Sequence, residues 1–124
     1  MEDLSQEIEN KTRQIAELLN DHKGQDVCVL DLRKFQIWTD FFVIVTVSSK
    51  THMDGLEKHI REFCRDREMD VSGSPRKRTE DEWRLLELGI PPYGSIVVHL
   101  MSSSVREFYE LERLWVSLEH VRKE

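Results

Sequence analysis

The stretch Asp40-Phe-Phe-Val-Ile-Val-Thr-Val-Ser-Ser49 constrains this chain more than any other. From Phe41 to Val47 every residue except Thr46 is apolar, and nearly all are β-branched or aromatic. Such a run has the length of a strand and is too short for an independent helix. It is continuous rather than alternating, so both of its faces must be covered. That makes it an inner strand of a sheet with helices on both sides. Asp40 marks its start, and Ser48-Ser49-Lys50-Thr51 ends it and opens a helix.

The other segments supply the layers. Leu4, Ile8, Ile15, Leu18 and Leu19 recur at helical spacing, with Thr12 bridging the stripe and Gly24 as the C-cap candidate. Asp26–Leu32 reads as a strand, and its short connection to the central run suits antiparallel pairing. Trp38 falls in that connection and is not readily explained by core packing. Thr51-His-Met-Asp54 fits the pattern of a capping Thr followed by an acid. Met53, Leu56, Ile60, Phe63 and Cys64 then form a second helical stripe. A short strand is expected at Met69–Val71. In Trp83–Leu88, the residues Trp83, Leu85 and Glu87 share one face, and Arg84, Leu86 and Leu88 the other. The turn-rich Gly89–Gly94 leads into Ser95–Met101, which suggests an antiparallel hairpin. Ser104-Val-Arg-Glu107 is a second capping pattern, opening a terminal helix lined by Phe108, Leu111, Leu114, Trp115, Leu118 and Val121. The expected fold is therefore α/β: one domain over residues 1–124, with a mixed sheet covered by helices.

Composition narrows the class. A chain of 124 residues suits one domain with one core, and 39% hydrophobic with 34% charged residues is the balance of a soluble globular protein. No apolar run approaches the ~20 residues of a membrane span. Met1-Glu-Asp-Leu-Ser-Gln-Glu7 has no apolar signal core, so a cytoplasmic location is expected. Cys28 and Cys64 are too few for a disulfide framework and read as reduced thiols. A net charge of −6 argues against general DNA binding and suits a basic protein partner.

The chain offers little for catalysis. Its five glycines are scattered, so no phosphate-cradling loop is expected, and no Cys/His pairs lie at zinc-binding spacing. Neither a cofactor nor a metal is expected. Ser48 and Ser49 lie at a strand-to-helix junction without a Gly-x-Ser-x-Gly elbow, which favours capping over nucleophilic work. Asp31 and Asp40 could approach at neighbouring strand ends, but no Asp-x-Asp pair occurs. With Ser48 they mark the best site for an enzyme reading. His99, inside an apolar strand, reads as a satisfied core or interface residue. Trp83 and Tyr109 admit two readings: boundary packing, or anchors of a protein interface. Pro75-Arg-Lys-Arg78 is the one dense basic cluster. It is either a solvated loop or a phosphate contact, with ribosomal RNA as a candidate for Arg76, Lys77 and Arg78.

Several motifs together resemble the Iojap family, the ribosomal silencing factors. They are Thr39-Asp-Phe-Phe-Val-Ile44, the Ser-Ser-x-x-His of Ser48–His52, the Trp83 strand, Val97-Val-His99 and Phe108-Tyr-Glu-Leu-Glu-Arg-Leu-Trp115. The resemblance spans Leu4 to Leu118. It implies a fold like a trimmed nucleotidyltransferase domain without catalytic aspartates, and a non-enzymatic role. The implied role is binding to the large ribosomal subunit through its protein fourteen, blocking the small subunit and lowering translation during starvation. Large-subunit assembly is an alternative role, and a homodimer is permitted. By position, Trp83, Leu88, His99, Tyr109 and Trp115 match the family's contact motifs. The chain departs from the family's pattern at Val47, at Ser95 and in the longer Ile90–Gly94 connection.

Overall fold

Every position of the central strand is buried. The computed structural model of the protein describes residues 3–73, 82–90, 94–111 and 113. Along the chain run α1 (Asp3–Asp21), β1 (Gln25–Asp31), a 3-10 turn (Arg33–Phe35), β2 (Phe41–Val47) and α2 (Lys50–Asp66). Then come β3 (Asp70–Gly73), β4 (Trp83–Ile90), β5 (Gly94–Ser102) and α3 (Ser103–Tyr109). The sheet order is β1-β2-β5-β4-β3. β2 and β5 pair in parallel, and the other neighbours are antiparallel. The α/β architecture with a mixed sheet agrees with the sequence reading, including the antiparallel β1–β2 pair and the β4–β5 hairpin.

The two faces of β2 enter different cores. Phe41, Val43, Val45 and Val47 pack with Ile8, Ile15 and Leu19 of α1 and with Met53, Leu56, Ile60 and Phe63 of α2. Each such side chain, fully buried, stabilises the fold by ~1.5–3 kcal/mol. Phe42 and Ile44 face a smaller cluster with Leu32, Val97 and Met101. Val105 and Leu111 at the C-terminal end, together with Phe35 of the 3-10 turn, pack against that cluster. Helices cover both faces as expected, but unequally. Thr12 sits in the apolar stripe of α1 because its hydroxyl donates to the Ile8 carbonyl at 2.8 Å, which satisfies it without water.

Several local expectations need correction. The left-handed residue after α1 is Lys23 (φ 71°), not Gly24. Gly24 is required for close approach instead, since a Cβ there would lie 2.6 Å from Val45 Cγ2 and 2.8 Å from the Leu19 carbonyl oxygen. The N-cap of α2 is Ser49, whose hydroxyl accepts from the His52 N–H at 3.0 Å. Asp54, expected to complete a capping pattern with Thr51, is instead 2.8 Å from Arg84 of β4. Ser102, not Ser104, caps α3, accepting from the Val105 N–H at 3.3 Å. β4 continues through Gly89 and Ile90, which pair with Ser95 and Gly94, so these positions of the expected connection belong to strands. α3 ends at Tyr109, with Glu110 left-handed at φ 50°. Phe108 is therefore solvent-exposed instead of lining a long stripe. Leu114, Trp115, Leu118 and Val121 lie outside the described residues.

Candidate protein-docking face

The alternation of β4 places Trp83 on the thinly covered face of the sheet, opposite Met101 of β5, with Leu85 opposite His99. The Trp83 indole N–H donates to His99 Nδ1 at 3.1 Å. An indole is only a donor, so Nδ1 must be unprotonated, and the neutral imidazole carries its proton on Nε2. That Nε2 is buried and has no hydrogen-bond partner among the described residues. His99 is 5% exposed, and burial pushes its pKa down from 6.5 to about 4, so it is neutral at pH 7. Phe42 of β2 meets the imidazole edge to face, with ring centroids 4.4 Å apart.

α3 extends this aromatic floor to the surface. The Ser102 N–H donates to the Glu82 carbonyl at 2.8 Å, which joins the cap of α3 to the residue before Trp83. Arg106 Nη1 donates to Thr46 Oγ1 of β2 at 2.9 Å. With Val105 and Leu111 packed against the smaller cluster, this holds α3 on the sheet and leaves its last residues outward. Tyr109 leans on Trp83 with centroids 4.9 Å apart, and Phe108 meets Tyr109 edge-on at 4.9 Å. Phe108 is 79% exposed and Tyr109 53%. Beyond Phe42, the ring of Trp38 lies 6.3 Å away and is 66% exposed. Rings thus run from Phe108 through Tyr109, Trp83, His99 and Phe42 to Trp38. Glu107 and Glu110 flank Phe108 and Tyr109, and Glu82 precedes Trp83; all three are exposed. Arg113 there is engaged with Glu110 at 2.8 Å. An exposed aromatic cluster rimmed by acids can bind a protein surface that offers apolar contact and positive charge.

Of the residues expected from sequence to form the contact, Trp83 and Tyr109 are brought together at the centre of this face. His99 lies beneath Trp83 as its hydrogen-bonded support. Leu88 is a correction: it is completely buried in the larger core, on the opposite face of β4, and cannot touch a partner. Trp115 and the basic residues Arg76, Lys77 and Arg78 lie outside the described residues. Phe108, absent from that set, was concealed by the apparent continuity of the terminal stripe. The left-handed turn at Glu110 that exposes it has no glycine to announce it.

The residues of the enzyme reading form no single site: Asp31, which pairs with Phe41, and Asp40 do lie at adjoining ends of β1 and β2, but each carboxylate has its own partner and Ser48 is remote. Asp31 is held by Arg33, with contacts of 2.6 and 2.9 Å, and this hydrogen bonding keeps its carboxyl below the usual range. Asp40 Oδ2 accepts from the Ser95 N–H at 2.9 Å. Ser48 lies at the other end of β2, ~26 Å from Asp40 at the rise of an extended strand. It bonds instead with His52 Nδ1, through its N–H at 3.0 Å and with its hydroxyl at 3.2 Å. No three His, Cys, Asp or Glu side chains among the described residues are grouped to hold a metal ion.

Fold and face together define a small α/β protein with an exposed aromatic cluster on one face of its sheet. Residues 5–124 match the family model described as "Ribosomal silencing factor during starvation". The chain is 39% identical over 102 residues to a ribosomal silencing factor of Treponema pallidum (strain Nichols), covering 82% of this chain and 86% of that one. It is 31% identical over 109 residues to the Mus musculus protein "Mitochondrial assembly of ribosomal large subunit protein 1", covering 82% of this chain and 43% of that one. A crystal structure of a Chromobacterium violaceum protein superposes with a TM-score of 0.69 at 28% identity, covering 86% of this chain and 84% of that one. This chain belongs to the ribosomal silencing factor family.

Proposed function

We propose that this protein is a non-enzymatic translational repressor that works in the cytoplasm under nutrient limitation. It binds the large ribosomal subunit through ribosomal protein fourteen and sterically prevents the small subunit from joining. Membership of the silencing-factor family supports the ribosomal target. The observation that carries the docking mode is the exposed pair Phe108 and Tyr109, in ring contact with Trp83 and flanked in the chain by the exposed acids Glu107 and Glu110. Solvating such rings is unfavourable, and burying them against a partner recovers that energy. The acids favour encounter with a basic ribosomal protein, so added salt slows association. The engagement of Asp31 with Arg33 and of Asp40 with the Ser95 N–H, and the remoteness of Ser48, support a role without nucleotidyl chemistry. Trp115 stays within the proposed contact, and Arg76, Lys77 and Arg78 remain candidates for ribosomal RNA. A homodimer is a further proposal from the family resemblance.

A second reading, a large-subunit assembly factor, is favoured by the name of the mouse relative. Sedimentation of separated subunits with added protein distinguishes the two. Co-migration with the large subunit and reduced joining supports repression. Co-migration without an effect on joining moves assembly ahead. Migration with neither subunit removes both readings.

A further inference from the structure

We infer that Trp38 is a second anchor of the docking face, so that the partner's surface reaches from α3 across the sheet to the β1–β2 connection. This rests on the docking reading above and extends it to one more place on a basic, partly apolar protein partner. Phe108 and Tyr109 lie at one end of the run of rings, Trp38 and the 38%-exposed Ile37 at the other. Between them lie Phe42 and His99, 7% and 5% exposed, with Trp83 half-buried against His99. The two exposed ends are linked through this buried layer on one face of the sheet, by ring contacts of 6.3 Å (Trp38–Phe42) and 4.4 Å (Phe42–His99).

Area argues the same way. A stable interface buries ~800 Å² on each partner, whereas even full burial of a large aromatic residue contributes only ~150–250 Å². The two exposed rings of α3 do not fill such a footprint, and Trp38 with Ile37 enlarges it. The loop that carries Trp38 is also preorganised. Thr39 is buried, and its hydroxyl donates to the Ser95 carbonyl at 3.2 Å and accepts from the Ser95 hydroxyl at 3.0 Å. The Asp40 N–H donates to the same carbonyl at 3.1 Å, and the Leu32 N–H donates to the Asp40 carbonyl at 2.8 Å. An exposed indole next to so fixed a backbone loses little conformational freedom on binding. The chemistry here favours protein over nucleic acid. Arg33, on the same connection, is 2.6 Å from Asp31 and 3.4 Å from Glu9, so its charge is offset by carboxylates.

The test measures binding of wild type, Trp38→Ala and Trp83→Ala to purified large subunits and to isolated ribosomal protein fourteen. Oxidative footprinting of Trp38, with and without the partner, is read by mass spectrometry. The expected result is at least ~10-fold weaker binding for Trp38→Ala, as for an interface anchor, and protection of Trp38 in the complex. Binding of Trp38→Ala within twofold of wild type, or no protection of Trp38, overturns the inference. If Trp83→Ala still weakens binding in that case, the docking reading survives, confined to the α3 end. Absence of binding by wild type overturns the docking reading and this inference together.

Discussion

Replacing His99 by Asn should remove a pH-dependent weakness built into the docking face. His99 is 5% exposed and its pKa is lowered from 6.5 to about 4 by burial. The unfolded chain therefore takes up a proton on this ring below pH 6.5 that the folded chain accepts only near pH 4. Stability from this group is intact above pH 6.5 and falls as pH drops through that window. At ~1.36 kcal/mol per pKa unit, the full loss is ~3 kcal/mol, of which ~2 kcal/mol falls between pH 7 and pH 5. Asn places an acceptor close to the position of Nδ1, so Trp83 keeps a partner for its N–H, and the substituted residue does not titrate. Urea unfolding of both proteins at pH 7 and pH 5 gives the two stabilities. Wild type should exceed Asn by the larger margin at pH 7, and the margin should shrink by ~2 kcal/mol at pH 5. A margin unchanged between the two pH values would refute the claim that the ring is held neutral by burial.

Other substitutions test the fold that carries this face. Gly24→Ala forces a Cβ to 2.6 Å from Val45 Cγ2 and 2.8 Å from the Leu19 carbonyl oxygen. The expected cost is ~1–3 kcal/mol, seen as a melting temperature lower by roughly 4–12 °C. Ser49→Ala removes the hydroxyl that caps α2 and should cost ~1 kcal/mol in chemical denaturation. Cys64 is fully buried and its pKa is pushed up to about 11, chiefly by burial. It should resist a thiol reagent at pH 8 in the folded protein and react once urea unfolds it; prompt native labelling would contradict its place in the core.

Much of this architecture was legible because the sequence carries it redundantly. The run Phe41–Val47 needs no register to be read as a buried strand, since both of its faces are apolar. The alternation from Trp83 to Leu88 already separates the two faces of β4, and the structure keeps that separation. Leu88 was assigned to the contact by its match to a family motif position, although the alternation had put it opposite Trp83. The physical pattern was the better guide there. Caps were harder to place, because Ser48-Ser49-Lys50-Thr51 and Ser102-Ser103-Ser104 offer several side chains able to bond the first turn. The choice depends on where the preceding strand stops. The ion pairs of Arg84 with Asp54 and Glu57, each at 2.8 Å, join β4 to α2. No local pattern could supply such a contact, because it exists only once the sheet and helix are packed. Gly24 was recognised as important for the wrong reason: the positive φ went to Lys23, and the close approach of β2 fixes the glycine.

The central claim is that the aromatic face carries the ribosomal contact. The most direct test is the affinity of isolated ribosomal protein fourteen for wild type, Trp83→Ala and Tyr109→Ala, with each variant confirmed as folded by circular dichroism. Loss of a central anchor costs ~2 kcal/mol or more, so each variant should bind ~30-fold more weakly. Wild-type affinity in both folded variants would contradict the account.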